Sequence, residues 1–189
     1  QLGVDQPYWV QLWIFDKQIV TGDFGASWST NERISSIIFT RLPPSLTVLI
    51  PLTLLDALIA IGLALAVAYV RGSLTDRTVM IVCTVGLSIS ILVYIIVFQY
   101  VFAYKLGWFP VQGWGDSFWE NLFRYASLPI LIGLAVSIAP SLRLYRTFVL
   151  DEINQDYVRT ARAKGLSENR IMWIHVLRNA SIPIITHLM

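Results

Sequence analysis

Three long apolar runs constrain this chain more than any other feature. Residues 46–70 contain one charged side chain, Asp56, and residues 78–104 contain none. A third run begins at Tyr125 and continues in mixed sequence to about residue 149. A helix needs about 20 mainly apolar residues to cross the hydrocarbon core of a membrane. The pattern therefore predicts an all-α integral membrane protein with spans at 46–70, 78–104 and 125–149.

The composition supports this class, because 56% of the residues are hydrophobic and only 14% are charged. A soluble domain usually has about 25% charged residues. Pro129, Gly133 and Pro140 predict that the third span is bent or broken. The chain has no initiator Met, and a further span starts at 179–189. We therefore expect an internal part of a longer protein, with its transmembrane domain at 46–189.

The loops predict the orientation. Segments 71–77 and 143–178 contain nine Lys and Arg residues, whereas segments 1–45 and 105–124 contain five. Cytoplasmic loops are enriched in basic residues, so the first pair of segments is predicted to be cytoplasmic. The second pair is then predicted to lie on the outer side.

The first 33 residues, within the extracytoplasmic segment 1–45, are not expected to cross the membrane. Pro7 is a plausible start for a short amphipathic helix that lies at the outer interface. Gly22, Asp23 and Gly25 then provide turn residues. Two interpretations stay open for this segment: a connecting loop, or part of a docking surface for an external partner.

Asp56 lies near the middle of the first predicted span. A carboxylate at that depth costs about 2.5–3.5 kcal/mol to insert, and such residues usually face a cavity or a partner group. Two interpretations stay open: Asp56 lines a polar translocation path, or it is protonated or paired within the helix bundle.

Residues 150–178 combine a glycine with many basic side chains. A first helix is predicted from Asp151 to Lys164, because its acidic residues precede its basic ones and so complement the helix dipole. Gly165 follows, where a left-handed residue ends a helix at little cost. Ser167 is expected to cap a second helix that enters the next span.

The first of these helices combines apolar and small residues. Tyr157 and Val158 are apolar anchors, and Ala161 and Ala163 are small. Such a helix, with a charged rim, is typical of one that docks into a groove on a partner protein. The alternative is an amphipathic surface helix held by anionic lipids.

The segment "DYVRTARAKGLSENRIMWIHVLRNASIPIIT" resembles the cytoplasmic loop of ABC importer permeases of the dipeptide, oligopeptide and nickel class. The segments "GDFGASWST", "RLPPSLTVLI" and "YKLGWFPVQGW" resemble the first-permease type of that class, in the same order. The resemblance implies that the family's first and last spans lie outside this sequence. Of the loop consensus of the wider importer superfamily, only Ala161, Gly165 and Leu177 are matched.

The resemblance implies a type I ABC importer transmembrane domain, here partial, in a bacterial inner membrane. It implies that residues 156–166 form a coupling helix on an ATP-hydrolysing subunit, with cytoplasmic coupling loop 150–178. The coupling residues implied are Tyr157, Val158, Arg159, Thr160, Ala161, Arg162, Ala163, Lys164, Gly165 and Leu166.

The resemblance also implies the partners: a second permease subunit, two ATP-binding subunits, an external solute-binding protein and membrane lipid, but no nucleic acid. The chain contains no G-x-x-x-x-G-K-[ST] phosphate loop. ATP and Mg²⁺ are therefore expected on the partner subunits, with no cofactor on this chain. We expect Gly165→Val or Ala161→Glu to uncouple ATP hydrolysis from transport while membrane insertion stays intact.

The substrate that the class resemblance favours is a peptide, with nickel or another small solute as the alternative. A membrane enzyme or a channel without an ATPase partner is the rival function. An enzyme would need convergent catalytic groups, but the chain has only His175, His187 and Cys83 as His and Cys residues, and no H-E-x-x-H motif. No catalytic or metal-binding residue is therefore predicted.

Overall fold

The computed structural model describes residues 7–22 and 24–188. The described residues form helices and connecting loops, with an isolated β-bridge between Ala26 and Arg33. The chain divides into two compact units, residues 1–46 and 47–189.

The α-helices, in chain order, are α1 (Tyr8–Thr21), α2 (Ile34–Tyr69), α3 (Leu74–Ser88), α4 (Ile91–Phe98), α5 (Phe118–Glu120), α6 (Ser127–Ile153), α7 (Asp156–Ala163), α8 (Glu168–Arg170) and α9 (Leu177–Leu188). Among the described residues, π-helical segments continue α4, α5 and α8, at Gln99–Lys105, Asn121–Tyr125 and Ile171–Val176.

The first unit contains the predicted short helix. α1 begins directly after Pro7 and ends at Thr21, and Gly22 follows it in a left-handed conformation with φ of 69°. No residue of α1, all of which is described, is buried, and Trp9, Trp13 and Val20 are strongly exposed. The predicted turn residue Asp23 lies outside the described residues.

The core of the second unit lies between α2, α6 and the helical residues 171–188 at the end of the chain. α2 contributes Ala60, Ala64 and Ala68, which lie on one face at a spacing of four residues. Small residues on one helical face let neighbouring helices approach closely. Where α2 and α6 meet, a Cβ added to Gly133 would lie 2.6 Å from Leu52 Cδ2. A side chain at position 133 would therefore require the Leu52 side chain to move.

Two helices of the described residues, α2 and α6, are long and apolar enough to cross a membrane. α3 and the helix that begins with α4 form a third candidate if the bent pair is taken as one span. These helices support the predicted all-α membrane class.

The sequence predicted one uninterrupted span at 78–104, but the structure has a 91° bend there. Ile89 is extended, and Ser90 caps the start of α4, because its Oγ accepts a hydrogen bond from the Leu92 N–H at 3.4 Å. The Tyr94 hydroxyl donates to the Gly86 carbonyl oxygen at 3.1 Å. These local hydrogen bonds satisfy polar groups at the break, and a count of apolar residues does not detect them.

The third predicted span, in contrast, is not interrupted. α6 is one unbroken helix that includes Pro140. Pro129 lies in the first turn of α6, where the missing N–H of a proline has no helical partner to lose. The third run therefore contains no break, whereas the second run does.

Candidate functional site

The segment between α6 and α8 contains the predicted coupling residues, 156–166. α6 ends at Ile153, and the extended backbone of Gln155, with φ of −72° and ψ of 154°, separates it from α7. The prediction of one helix from Asp151 to Lys164 is therefore wrong in its first part, because Asp151 belongs to α6. α7 is a separate short helix.

The glycine turn after α7 has the predicted geometry. Gly165 has φ of 75°, and its N–H donates to the Arg162 carbonyl oxygen at 2.9 Å. The Leu166 N–H donates to the Ala161 carbonyl oxygen at 3.3 Å. These two hydrogen bonds form a Schellman motif, which a left-handed residue makes accessible. Ser167 precedes α8 as predicted, but its side chain makes no capping hydrogen bond.

One face of α7 packs against the rest of the second unit. Val158 is fully buried and Ala161 is 7% exposed, and both belong to the core cluster that contains residues of α6 and the π-helical segment. Tyr157 and Leu166 are partly buried against this cluster. The Tyr157 hydroxyl donates to Glu152 Oε2 at 2.7 Å, and burial raises the pKa of the Tyr157 phenol. We call this surface the inner face of α7.

The opposite surface of α7, which we call its outer face, is exposed. It consists of Arg159, Thr160, Ala163 and Lys164. Arg159 forms an exposed ion pair with Asp156 at 3.3 Å, within the first turn of the helix. The outer face is therefore short and polar, with two basic residues, Arg159 and Lys164, and the acidic Asp156 beside Arg159.

Arg162 connects α7 to α8 across the glycine turn. Its Nε and Nη2 donate to the two carboxylate oxygens of Glu168 at 2.6 and 3.1 Å. These hydrogen bonds lower the pKa of the Glu168 carboxyl and raise that of the Arg162 guanidinium. A bidentate pair fixes the orientation of both groups more tightly than a single contact. It thus helps to hold the turn at Gly165.

Asp56 lies in a different part of the second unit, at a contact between α2 and α6. It is 7% exposed. Ser137 donates to its Oδ1 at 2.7 Å, and Ser141 donates to its Oδ2 at 2.8 Å. The two serines lie four residues apart and so share one face of α6. The sequence reasoning did not identify them, although this spacing was readable.

A second buried aspartate contacts α6 nearer the C-terminal end of that helix. Asp76 Oδ2 accepts hydrogen bonds from Arg146 Nη2 at 2.8 Å and from the Gly72 N–H at 2.9 Å. The Ser73 side chain caps α3 by accepting from the Asp76 N–H at 3.2 Å. The sequence reasoning used the basic residues here only for orientation and missed this ion pair. The spacing of Ser73 and Asp76, which is typical of the start of a helix, was the sequence pattern that could have indicated this site.

The histidines and the cysteine lie outside these contacts. His175 belongs to the π-helical segment Ile171–Val176, and Cys83 is buried in α3. The ring of His187 packs edge-on against the buried Tyr145 ring at 5.9 Å. Among the described residues, no group of three or more His, Cys, Asp or Glu side chains is placed to hold a metal ion.

The chain is similar to permease subunits of known transport systems. It is 34% identical over 186 residues to the Glutathione transport system permease protein GsiC of Escherichia coli (strain K12) and, equally, of Salmonella typhi. It is 28% identical over 209 residues to the Dipeptide transport system permease protein DppB of Alkalihalophilus pseudofirmus. These alignments cover 98% of this chain, 59% of the GsiC proteins and 62% of DppB.

The family assignment follows from residues 59–189, which include α3 to α9 and the glycine turn. This range matches the family described as "Binding-protein-dependent transport system inner membrane component". That family is the type I ABC importer transmembrane domain, as the sequence resemblance implied. The chain spans about three-fifths of the length of the relatives it matches. It belongs to the binding-protein-dependent transport system inner membrane components and is a multi-pass inner-membrane protein.

Proposed function

We propose that this chain is part of a permease subunit of an ATP-driven importer and couples to an ATP-binding subunit through the outer face of α7. The proposed assembly contains a second permease, two ATP-binding subunits that hold ATP and Mg²⁺, and an external solute-binding protein. This chain then forms part of one half of the translocation path.

The observation that carries the proposal is the division of α7 into two faces. Val158 and Ala161 fix the helix to the permease core. Arg159, Thr160 and Lys164 remain exposed on the opposite side. A helix that is held on one side and open on the other can transmit a push from a docked protein to the helices behind it. The sequence had suggested Val158 as an apolar anchor in the partner, but Val158 is fully buried in its own chain.

The mechanism follows from the contacts of α7. Closure of the ATP-binding subunits would displace α7, which packs on the core cluster together with α6 and the π-helical segment before α9. Packed helices respond to such displacements by shifts of about 1–2 Å at their interfaces. The Schellman motif at Gly165 and the Arg162–Glu168 pair hold the turn, so the displacement reaches α8 instead of being absorbed in a loose loop.

For the substrate we propose a small peptide. The relatives named for glutathione and for dipeptides support this class. Nickel or another small solute is the alternative. Native mass spectrometry of the partner solute-binding protein, purified from its host, distinguishes them: a bound peptide supports the proposal, and a bound metal complex overturns this part of it.

Co-purification tests the coupling proposal. The full-length permease carrying Ala163→Glu should lose its ATP-binding subunits, because a carboxylate enters the basic outer face, while wild-type permease retains them. Glu32→Gln provides a matched control on an exposed residue of the other unit and should retain them. Wild-type permease that never co-purifies with an ATP-binding subunit would favour the rival function, a channel or a membrane enzyme.

For Asp56, the contacts support a role in holding α2 against α6 more directly than a role in the translocation path. Both carboxylate oxygens already accept hydrogen bonds from serines of α6. Asp56→Asn keeps the shape and one acceptor oxygen. Altered uptake by an intact complex would support a role for Asp56 in the translocation path, and unchanged uptake would exclude that role.

A further inference from the structure

The contact between Asp76 and Arg146 is buried but incomplete. The side chains are 8% and 19% exposed, and a single hydrogen bond of 2.8 Å joins them. Asp76 Oδ1 and Arg146 Nε are both buried, and neither has a hydrogen-bond partner among the described residues. Buried polar atoms without partners are rare in folded proteins and call for a physical explanation.

The two unpartnered atoms are complementary. One is a carboxylate acceptor and the other is an N–H donor, and they belong to the same pair of side chains. An arginine and a carboxylate can form two parallel hydrogen bonds, in which each carboxylate oxygen accepts one guanidinium N–H. A fork of Nε and Nη2 with Oδ1 and Oδ2 would give both unpartnered atoms a partner.

Rotation of the Asp76 side chain alone would form this fork only by disturbing hydrogen bonds that Asp76 already makes. Oδ2 is held by the Gly72 N–H at 2.9 Å, and the Asp76 backbone N–H is held by Ser73 Oγ at 3.2 Å. The carboxylate is thus fixed at the start of α3. The fork therefore requires the Arg146 guanidinium to move, and a displacement of α6 relative to α3 would move it.

α6 is also the helix that leads into α7. Only Asn154 and Gln155 separate the two helices. Asn154 Oδ1 accepts a hydrogen bond from Arg71 Nη1 at 3.1 Å, in the same turn that precedes α3. A displacement of α7 would consequently reach the Asp76–Arg146 contact through one short connection.

We propose that Asp76 and Arg146 form a two-position contact: one hydrogen bond in the conformation described here, and a two-bond fork in a second conformation that α7 induces during the transport cycle. This inference rests on the proposed coupling function. Arg146 is then a positioning residue, which fixes the two arrangements of α6 against α3 and contacts no substrate.

Electron cryomicroscopy of the full complex in lipid nanodiscs, without nucleotide and with ADP–vanadate trapped after ATP hydrolysis, tests the geometry. In one of the two states, Arg146 Nε and Asp76 Oδ1 should lie about 2.7–2.9 Å apart. A complex in which Nε lacks this partner in both states would overturn the inference.

Arg146→Lys tests the consequence, because lysine keeps the charge and can keep one hydrogen bond but has no planar fork. We expect a melting temperature close to that of the wild type and an approximately tenfold smaller stimulation of ATP hydrolysis by the solute-binding protein. Arg143→Lys, an exposed position on the same helix, should behave as the wild type.

The failures are distinguishable. Unchanged stimulation in Arg146→Lys, in a complex that contains its ATP-binding subunits, overturns only the two-position contact. A wild-type permease that binds no ATP-binding subunit overturns the proposed function and this inference with it. If Arg146→Lys does not assemble, the two wild-type structures still decide between one arrangement and two.

Discussion

The two faces of α7 differ in both composition and surroundings. The inner face places Val158 and Ala161 in the core cluster, where Val158 has no exposed surface. The outer face, with Arg159, Ala163 and Lys164, is open to solvent. Substitutions on the inner face should therefore act on folding, and substitutions on the outer face on association. One short helix can serve both folding and association because its two faces are independent.

Of the substitutions that test this comparison, Val158→Asp should have the largest effect on stability. It places a carboxylate without a partner in the core, and an uncompensated buried charge costs about 3–5 kcal/mol. Thermal unfolding of the purified permease should show a strongly reduced melting temperature. Arg159→Asp introduces the same side chain one position later, on the outer face, and should change stability by less than about 0.5 kcal/mol. Equal melting temperatures for the two variants would contradict the assignment of faces.

Ala161→Glu and Ala163→Glu form the second pair, with the same change on opposite faces. Ala161 is 7% exposed, so its replacement should destabilise the permease by at least about 2 kcal/mol. We therefore revise the expectation that Ala161→Glu acts on coupling alone. Ala163→Glu should leave the melting temperature unchanged and weaken binding of the ATP-binding subunit at least about tenfold, about 1.4 kcal/mol. A stable Ala161→Glu permease would count against the packing of the inner face.

Gly165→Val tests whether the angle between the two parts of the loop matters. A side chain added at Gly165 meets no atom within 4 Å, so the strain comes from its φ of 75°. The left-handed conformation costs about 1–2 kcal/mol for residues other than glycine. Gly165→Asn is the control, because asparagine enters this region more easily. We expect reduced coupling of ATP hydrolysis to transport in the valine variant and near-normal coupling in the asparagine variant. Equal coupling would show that the turn is not needed.

Glu168→Gln should have the smallest effect. Glu168 and Arg162 are 42% and 41% exposed, so their pair contributes less than about 1 kcal/mol. The pKa of Glu168 is lower in the folded protein than in the unfolded chain. The contribution is therefore complete above the unfolded value of about 4.3 and is lost as the pH falls through the folded value. Wild type and Glu168→Gln should differ slightly in stability at neutral pH and converge in acid, and a difference that persists in acid would contradict this.

The membrane class, the position of α7 and the glycine turn were predictable from the sequence, because each depends on local composition. Gly165 illustrates this, since few other residues end a helix in the left-handed conformation. The bend at Ile89 and Ser90 was not predictable, because it depends on a hydrogen bond from Tyr94 within an uncharged run.

The orientation of the α7 side chains was also not predictable from the sequence. Val158 is apolar on a mainly polar helix, and it can face either a partner or its own core. Only the positions of α6 and the π-helical segment decide this, through the core cluster. The partners of Asp56 and Asp76 lie 81 and 70 residues away along the chain, at Ser137 and Arg146. Contacts at such separations depend on the tertiary fold.

Site-specific photo-cross-linking in the intact cell membrane tests the central claim most directly. A photoreactive amino acid at Arg159 or Lys164, on the outer face, should cross-link to an ATP-binding subunit. The same amino acid at the exposed Trp108, in the segment predicted to face the other side, should not. Cross-links to an ATP-binding subunit from both outer-face positions are the predicted result. Their absence from both positions, in cells that contain the assembled importer, would contradict the claim that α7 couples this permease to ATP hydrolysis.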